Sequence, residues 1–158
     1  MSPRSHSLIG FRDVTRGVDP RLVAEIGRFF DEDFSRVRFL QIAERSPAQR
    51  VALIWGPRAR AFAWTRNVLF PAACETIYAG DAEWREENAR TIAHELWHVL
   101  DFRRTGVIRW CGLFAREWRR HGLRKIRDAQ HEVRAREAAE AFVRSQEFRD
   151  ARAEALGG

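Results

Sequence analysis

The stretch "TIAHELWHVLDF", residues 91–102, places two histidines, His94 and His98, four positions apart in a largely apolar run. Side chains four residues apart on a helix project from the same side, so the two imidazoles can converge on one point. Zinc accepts neutral imidazole nitrogens at about 2 Å. Glu95 directly follows the first histidine, so its carboxylate lies beside the metal and can take a proton from the water that the metal activates. This HExxH spacing predicts a catalytic zinc helix.

The alternative is a buried helix whose two histidines are merely hydrogen-bonded within a core. The rest of the helix circumference is apolar, formed by Ile92, Ala93, Leu96, Trp97, Val99 and Leu100. Burying two imidazoles and a carboxylate without a partner is costly, and a metal ion supplies that partner. The apolar surroundings therefore favour a metal site over the alternative.

The helical pattern that carries this stretch extends from about Glu83 to Arg104. Gly106 is well placed to end the helix, because glycine tolerates the backbone conformation that follows a last helical turn. Arg103 and Arg104 complement the negative end of the helix dipole.

Two more helices are predicted downstream. The first is "VIRWCGLFAREWRRHG" at 107–122, with Ile108, either Cys111 or Gly112, and Ala115 on one side and Trp118 nearby. The second is rich in Ala, Glu and Arg and extends without a break over residues 130–156.

Residues before the HExxH stretch combine a helix with strands. The segment 18–34 predicts a helix, with Asp19 as its cap and Pro20 in its first turn. "SRVRFLQI" at 35–42 alternates apolar and basic residues, which predicts a strand. The short apolar run "RVALIW" at 50–55 fits either a second strand or a short helix.

A hairpin is predicted at residues 58–70, "RARAFAWTRNVLF". Phe62 and Trp64 alternate with alanines, and "TRN" is a suitable turn. Residues 72–85 are expected to form an irregular connection. Strands thus precede helices, which predicts an α+β fold with a small N-terminal mixed sheet or hairpin, the active helix, and two or more C-terminal helices.

The bulk properties predict one domain over residues 1–158. The chain has 158 residues, of which 45% are hydrophobic and 32% charged, which suits a single folded core. It contains no apolar run of bilayer-spanning length, and its first residues lack the apolar core of a signal peptide. We therefore expect no membrane partner and a cytoplasmic location. Cys74 and Cys111 lack the spacing of a zinc ribbon or redox pair and are expected to be free thiols.

The positive charge raises the possibility of a nucleic-acid partner. The net charge is +6, and the sequence pI is about 10.7. However, Lys125 is the only lysine, and arginines occur in every segment of the chain. A general arginine bias accounts for this pattern, so binding to nucleic acid is expected only as a non-specific, salt-sensitive effect.

A catalytic zinc site needs a third ligand. The downstream candidates are Asp101, His121, His131, Glu132, Glu137 and Glu140. Asp101 shares the face of the two histidines one turn further along, where accepting an imidazole N–H suits it better than binding the metal. Glu132 opens the last helix, in which small residues at Ala135, Ala138 and Ala139 would allow close approach to the active helix. We rank Glu132 first and Glu137 second.

Three segments, "DFSRVRF" at 33–39, "RARAFAWTRNVLF" at 58–70 and "RTIAHELWHVLDF" at 90–102, occur in a distinctive order and spacing. Together they resemble the metallopeptidase domain found with extracellular contractile injection systems in bacteria. The resemblance covers roughly residues 20–102. It implies a zincin-like fold and a zinc peptidase site that contains His94, Glu95 and His98.

The C-terminal part is similar to a glutamate-zincin pattern. The motifs are "RRTG" at 103–106, which leaves the active helix, and "EVRA" at 132–135. In glutamate-zincins the glutamate of the second motif is the third metal ligand, which implies that role for Glu132.

The sequence departs from the family pattern around the site, but the metal triad is intact. Ala63 stands where a threonine is usual, and Arg66 where the turn favours a polar residue or glycine. Asp101 and Phe102 replace two glutamines after the active helix, and Arg136 stands where an acidic residue often follows the second motif. These changes affect the hairpin and the surroundings of the ligands.

The leading prediction is a monomeric zinc metallopeptidase that cleaves peptide or protein substrates, with Zn²⁺ on His94, His98 and Glu132 and with Glu95 as general base. The other prediction is a zinc-stabilised interaction or delivery module of an injection system, with little turnover. Both predictions include injection-system components as partners and export by the injection apparatus as an alternative to a cytoplasmic location. For the group that stabilises the oxyanion, the candidates are Tyr78, His121, His131 or an arginine.

Overall fold

The computed structural model describes residues 10–55, 60–122 and 129–157. A small four-stranded sheet occupies the first half of the chain, and helices dominate the second half, which confirms the α+β prediction. In these described ranges, no helix is both long enough and apolar enough to cross a bilayer.

The sheet is mixed. Its strands are β1 (Phe11–Asp13), β2 (Arg38–Ile42), β3 (Phe62–Trp64) and β4 (Asn67–Phe70), in the spatial order β1-β2-β4-β3. β2 pairs antiparallel with β1 and parallel with β4, and β3 pairs antiparallel with β4. The predicted hairpin is therefore present as β3 and β4, although residues 58 and 59 lie outside the described ranges. β3 forms one edge of the sheet.

The first helix, α1 (Pro20–Phe30), starts where its cap predicts. The Asp19 carboxylate accepts the N–H of Arg21 at 2.8 Å and the indole N–H of Trp84 at 2.9 Å. One side chain thus satisfies a free donor of the first turn and links α1 to a residue far along the chain. This contact helps to fix α1 on the rest of the fold.

The ambiguous run at 50–55 belongs to a helix, α2 (Pro47–Trp55), rather than to a strand. Ser46 precedes α2, and its hydroxyl accepts the N–H of Gln49 at 3.1 Å, as a helix cap does. The capping residue and Pro47 at the first position decide the helix, since a short apolar run alone fits either structure.

The connection after β4 consists of two short 3₁₀ segments, Ala72–Ile77 and Gly80–Trp84. Buried Glu83 lies in the second segment, where its carboxylate accepts the backbone N–H of Asp19 at 3.1 Å. The central helix α3 (Glu86–Thr105) consequently starts at Glu86 rather than at Glu83. It ends at Gly106 as predicted, with a φ of 79° at that glycine.

Three helices complete the described chain: α4 (Val107–His121), α5 (Gln130–Arg144) and α6 (Gln146–Gly157). The prediction of one continuous helix over 130–156 is therefore wrong. The break falls at Ser145, whose backbone is extended and whose hydroxyl accepts the N–H of Phe148 at 3.1 Å. The change of direction lets the fully buried ring of Phe148 stack on Trp84.

α3 and α5 form the most extensive helix pair of the fold. Ile92 and Leu96 of α3 are fully buried, and so are Ala135 and Ala139 of α5. Small side chains at the contact allow two helix axes to come close together. This packing brings the first turn of α5 opposite the two histidines of α3.

Candidate metal centre

His94 and His98 lie one turn apart on α3, and their side chains meet. The two Nε2 atoms are 3.1 Å apart. The side chain of His98 is 7% exposed and that of His94 is 22% exposed. The pair therefore lies at the border between the core and solvent, with the inner imidazole almost enclosed.

Glu132, in the first turn of α5, completes the cluster. Its Oε2 lies 3.3 Å from Nε2 of His94, and its Oε1 lies 3.2 Å from Nε2 of His98. Of the sequence-predicted ligands, His94, His98 and Glu132 are thus brought together by the α3–α5 packing. They form a group that could hold a metal ion.

The dimensions of the cluster fit zinc. A tetrahedral ion with bonds of about 2.0–2.1 Å holds its ligand atoms about 3.3 Å apart. The two Nε2 atoms are 3.1 Å apart, and each lies 3.2 or 3.3 Å from a different oxygen of Glu132. With one donor atom taken from each residue, all three atoms lie within 4.8 Å of one another. Two imidazoles and one carboxylate are also a donor set that zinc accepts in catalytic sites. The residues of this chain therefore suit the metal that the HExxH spacing predicts.

The charges of the cluster depend on one another. Burial alone would raise the pKa of Glu132, but its hydrogen bonds to His94 and His98 hold that pKa well below its usual range. Burial works in the opposite direction on His98, yet the carboxylate of Glu132 raises the pKa of that imidazole. The ionised form of Glu132 is the form that binds a cation.

Glu95 lies next to the cluster and is buried, with 7% of its surface exposed. Burial raises the pKa of its carboxyl, and the charge of Glu132 raises it further, whereas the imidazoles of His98 and His94 lower it. The backbone N–H of Ala63 donates a hydrogen bond to this carboxylate. Glu95 is therefore held between the histidines and the edge strand β3.

The hairpin register explains how Ala63 reaches Glu95. Trp64 pairs with Asn67 across a two-residue turn, and Ala63 pairs with Val68. In such a hairpin the pair beside the turn is hydrogen-bonded and the next pair is not. The N–H and C=O of Ala63 thus point away from β4, toward the edge of the sheet and the cluster. This contact was not predicted from the sequence, although the register of the predicted hairpin and turn already implies it.

Asp101 has partners other than the imidazoles. Its Oδ2 accepts the indole N–H of Trp110 at 2.9 Å, and its Oδ1 accepts the hydroxyl of Thr105 at 3.3 Å. The buried Nδ1 of His98 has no hydrogen-bond partner among the described residues. The charge of Asp101 nevertheless contributes to the raised pKa of His98, so the two side chains are close enough to interact.

The other ligand candidates lie outside the cluster or beside it. Glu137 is exposed on α5. Glu140 forms ion pairs with Arg90 at 2.8 Å and with Arg144 at 2.7 Å. The side chain of His121 lies outside the described part of the chain. Among the ligand candidates, only His94, His98 and Glu132 form the described metal-binding group.

His131 is the candidate oxyanion group that the fold brings to the cluster. Its Nε2 lies 3.6 Å from Oε1 of Glu132, and its ring centroid lies 5.9 Å from that of His98. Burial lowers the pKa of His131, which favours the neutral ring. Tyr78, in contrast, is buried in the core against Phe70.

Aromatic rings form a row beside the cluster, and this row was not predicted from the sequence. The ring centroids of Trp64 in β3 and Phe102 are 5.7 Å apart, with the rings edge to face, and the centroids of Phe102 and Trp110 are 4.2 Å apart. Trp110 and Phe114 of α4 both contact the ring of His131. The row joins β3, α3 and α4, so the sequence shows a separate apolar residue at each position and not that the rings are in contact.

A family model described as the eCIS core domain matches residues 17–106, which is more than half of the chain. The matched segment includes strands β2, β3 and β4, α3 and both histidines of the cluster, but it excludes β1 and ends before Glu132. Searches of the curated proteins and of the solved structures return no match.

Proposed function

Because the chain belongs to the eCIS core domain family, in which eCIS stands for extracellular contractile injection system, we propose that it is a zinc-dependent metallopeptidase associated with such a system. One observation carries the proposal. The donor atoms of His94, His98 and Glu132 face one another at 3.1 to 3.3 Å beside a buried carboxylate, that of Glu95.

The proposed mechanism assigns proton transfer to Glu95. When bound, zinc would act as a Lewis acid that lowers the pKa of water to about 7 and polarises the scissile carbonyl. Glu95 takes the proton of the attacking water and then passes it to the leaving amine. A raised pKa suits this task, because a general base works best when its pKa lies near the working pH.

The substrate would bind along β3. The free N–H and C=O groups at the edge of a sheet can pair with an extended peptide, which then adds as a further strand. Ala63 presents these groups toward the cluster, and its N–H already contacts Glu95. A peptide bond held beside Ala63 would thus lie next to the general base. Trp64, which is 48% exposed, offers an apolar surface one residue further along.

A second candidate is a zinc-stabilised interaction module with little turnover. The observation in its favour is that the cluster joins two helices, since two donors come from α3 and one from α5. A metal that cross-links helices contributes to folding stability whether or not it catalyses a reaction. In that case the partners would be components of the injection system, and the protein would be exported with it.

Metal content and peptide cleavage together distinguish these functions. We expect about one zinc per chain in the wild type by mass spectrometry, and a large loss in His94→Ala and Glu132→Ala. Glu137→Ala is the matched control, because it removes an exposed glutamate of the same helix and should keep the metal. Glu95→Gln should also keep the metal but lose cleavage of an unfolded protein substrate by about 1,000-fold or more.

Each outcome has one reading. Full zinc in Glu132→Ala would remove Glu132 as the third ligand. Undiminished cleavage by Glu95→Gln would contradict the mechanism. Zinc in the wild type without cleavage of any unfolded substrate would favour the interaction module.

A further inference from the structure

α4 has one side packed on the fold and another side that is open to solvent. Trp110 and Phe114 form the packed side, where they contact Phe102 and His131. The opposite side is basic and consists of Arg109, Arg116, Arg119 and Arg120, all exposed. At 3.6 residues per turn these four arginines fall within about 100° of one another around the helix axis. We call this set the arginine face.

Apolar side chains border the arginine face and are also exposed. Ile108 is 91% exposed, although the sequence places it on an apolar side of the helix. Leu113, on the other edge of the face, is 38% exposed. A helix with exposed apolar residues next to a row of arginines is typical of helices that lie in a membrane interface.

The positive charge of the chain is concentrated in this region of the sequence. Residues 107–127 contain seven basic residues and one acidic residue, a net charge of +6 that equals the net charge of the whole chain. All other residues together are neutral. Within α4 the acidic residue, Glu117, lies 4.0 Å from Arg120. Four arginines and one glutamate give this helix a net charge of +3. The even distribution of arginines expected from the sequence therefore conceals a local excess.

We propose that α4 binds an anionic membrane surface through its arginine face, with Ile108 and Leu113, at the two edges of that face, entering the lipid headgroup region. Groups of four to eight basic residues on an amphipathic helix attract negatively charged lipids. The protein would lie on the bilayer, because the arginines stay at the level of the phosphates while the apolar residues enter more deeply.

Other occupants fit this surface less well. A second copy of the chain would bring two arginine faces together, which is unfavourable. A nucleic acid would neutralise the arginines but would leave Ile108 in water, because phosphate contacts need no aliphatic side chain. An anionic bilayer satisfies both components of the surface at once.

Membrane binding through α4 would set the position of the candidate metal centre. The packed side of the helix touches His131, whose imidazole lies 3.6 Å from the carboxylate of Glu132. The cluster would therefore be held close to the bilayer, on the side of α4 away from the lipid. The proposal itself does not depend on catalysis.

The test is flotation of the full chain with lipid vesicles. One set of vesicles contains equal parts of phosphatidylglycerol and phosphatidylcholine, and the other contains phosphatidylcholine alone. We expect binding to the first set only. Replacing Arg109, Arg116 and Arg119 by Gln should weaken binding by about 100-fold. The matched control replaces Arg16, Arg36 and Arg50, which are exposed on other elements, and should change binding by less than about threefold.

A second variant separates lipid from other polyanions. Ile108→Ser should reduce vesicle binding by about tenfold and leave binding to a DNA duplex unchanged. All variants change exposed side chains, and equal melting temperatures would show that they are folded. The proposal is overturned if anionic vesicles do not bind, if the two arginine triplets have equal effects, or if DNA binds as tightly as vesicles and Ile108→Ser changes neither.

Discussion

α3 and α4 are consecutive helices separated by Gly106, yet α3 buries several polar residues whereas α4 exposes its charged ones. α3 buries Asn88, Glu95 and His98, and each of these side chains has at least one polar partner. The amide of Asn88, for example, donates to the carbonyl of Ala82 at 2.7 Å and accepts from Arg60 at 2.6 Å. α4 keeps its arginines in solvent and uses aromatic rings for packing.

This difference indicates where to look for the role of each helix. A buried charge is stable only with a partner, so the buried polar residues of α3 interact with other groups inside the protein. An exposed arginine needs no internal partner, and its removal should hardly affect stability. The arginines of α4 are therefore more informative about what binds from outside.

A matched pair of leucines tests the packing difference most directly. Leu96 of α3 is fully buried, whereas Leu113 of α4 is 38% exposed. Leu96→Ala should lower the free energy of unfolding by about 2–5 kcal/mol, because it leaves a cavity between α3 and its neighbours. Leu113→Ala should cost less than about 1 kcal/mol. Urea unfolding of both variants measures the difference, and equal losses would contradict the contrast.

Removal of metal tests whether the buried cluster of α3 and α5 adds stability. If zinc binds the native protein alone, a chelator should lower the free energy of unfolding by about 3 kcal/mol from its value at a zinc concentration about 100 times the Kd. The shift in melting temperature should disappear in Glu132→Ala and persist in Glu137→Ala. A chelator effect of the same size in both variants would place the metal elsewhere.

More of the α3 site than of its surroundings could be predicted from the sequence. His94, Glu95 and His98 follow from spacing on one helix, and α3 ends at Gly106 as expected. The ranking of Glu132 rested on the small residues that follow it and on a resemblance, because its approach to the histidines depends on how α5 packs. The edge strand reaches Glu95 through the backbone of Ala63, a contact that no side-chain pattern encodes.

The features that the sequence did not predict depend on contacts between distant parts of the chain. β1 has three residues and exists through its pairing with β2, so it has little local signal. The break at Ser145 depends on one hydroxyl and on the burial of Phe148, within a stretch whose composition favours a continuous helix. The arginine face of α4 was not visible because arginines occur throughout the chain, and the fold decides which of them share a side.

Asp101 connects the two contrasting helices and allows a smaller test. Its carboxylate accepts the indole N–H of Trp110, and Asp101→Ala would leave that donor without its acceptor. We expect a loss of about 1–3 kcal/mol in the free energy of unfolding, and a smaller loss for Asp101→Asn, which keeps an acceptor oxygen. The zinc affinity should be unchanged. A loss of affinity of about tenfold or more would instead indicate that Asp101 orients the imidazole of His98.

The smallest expected effect compares one arginine from each helix. Arg90 of α3 forms ion pairs with Glu86 at 2.7 Å and with Glu140 of α5 at 2.8 Å. These side chains are partly exposed, so solvent weakens the pairs, and Arg90→Gln should cost only about 0.5–1 kcal/mol. Arg116→Gln on α4 should stay within about 0.5 kcal/mol of the wild type. Added salt should narrow the difference in unfolding free energy, because it screens exposed ion pairs. A larger loss for Arg116→Gln would mean that the arginine face stabilises the fold itself, and the division between the two helices would then be wrong.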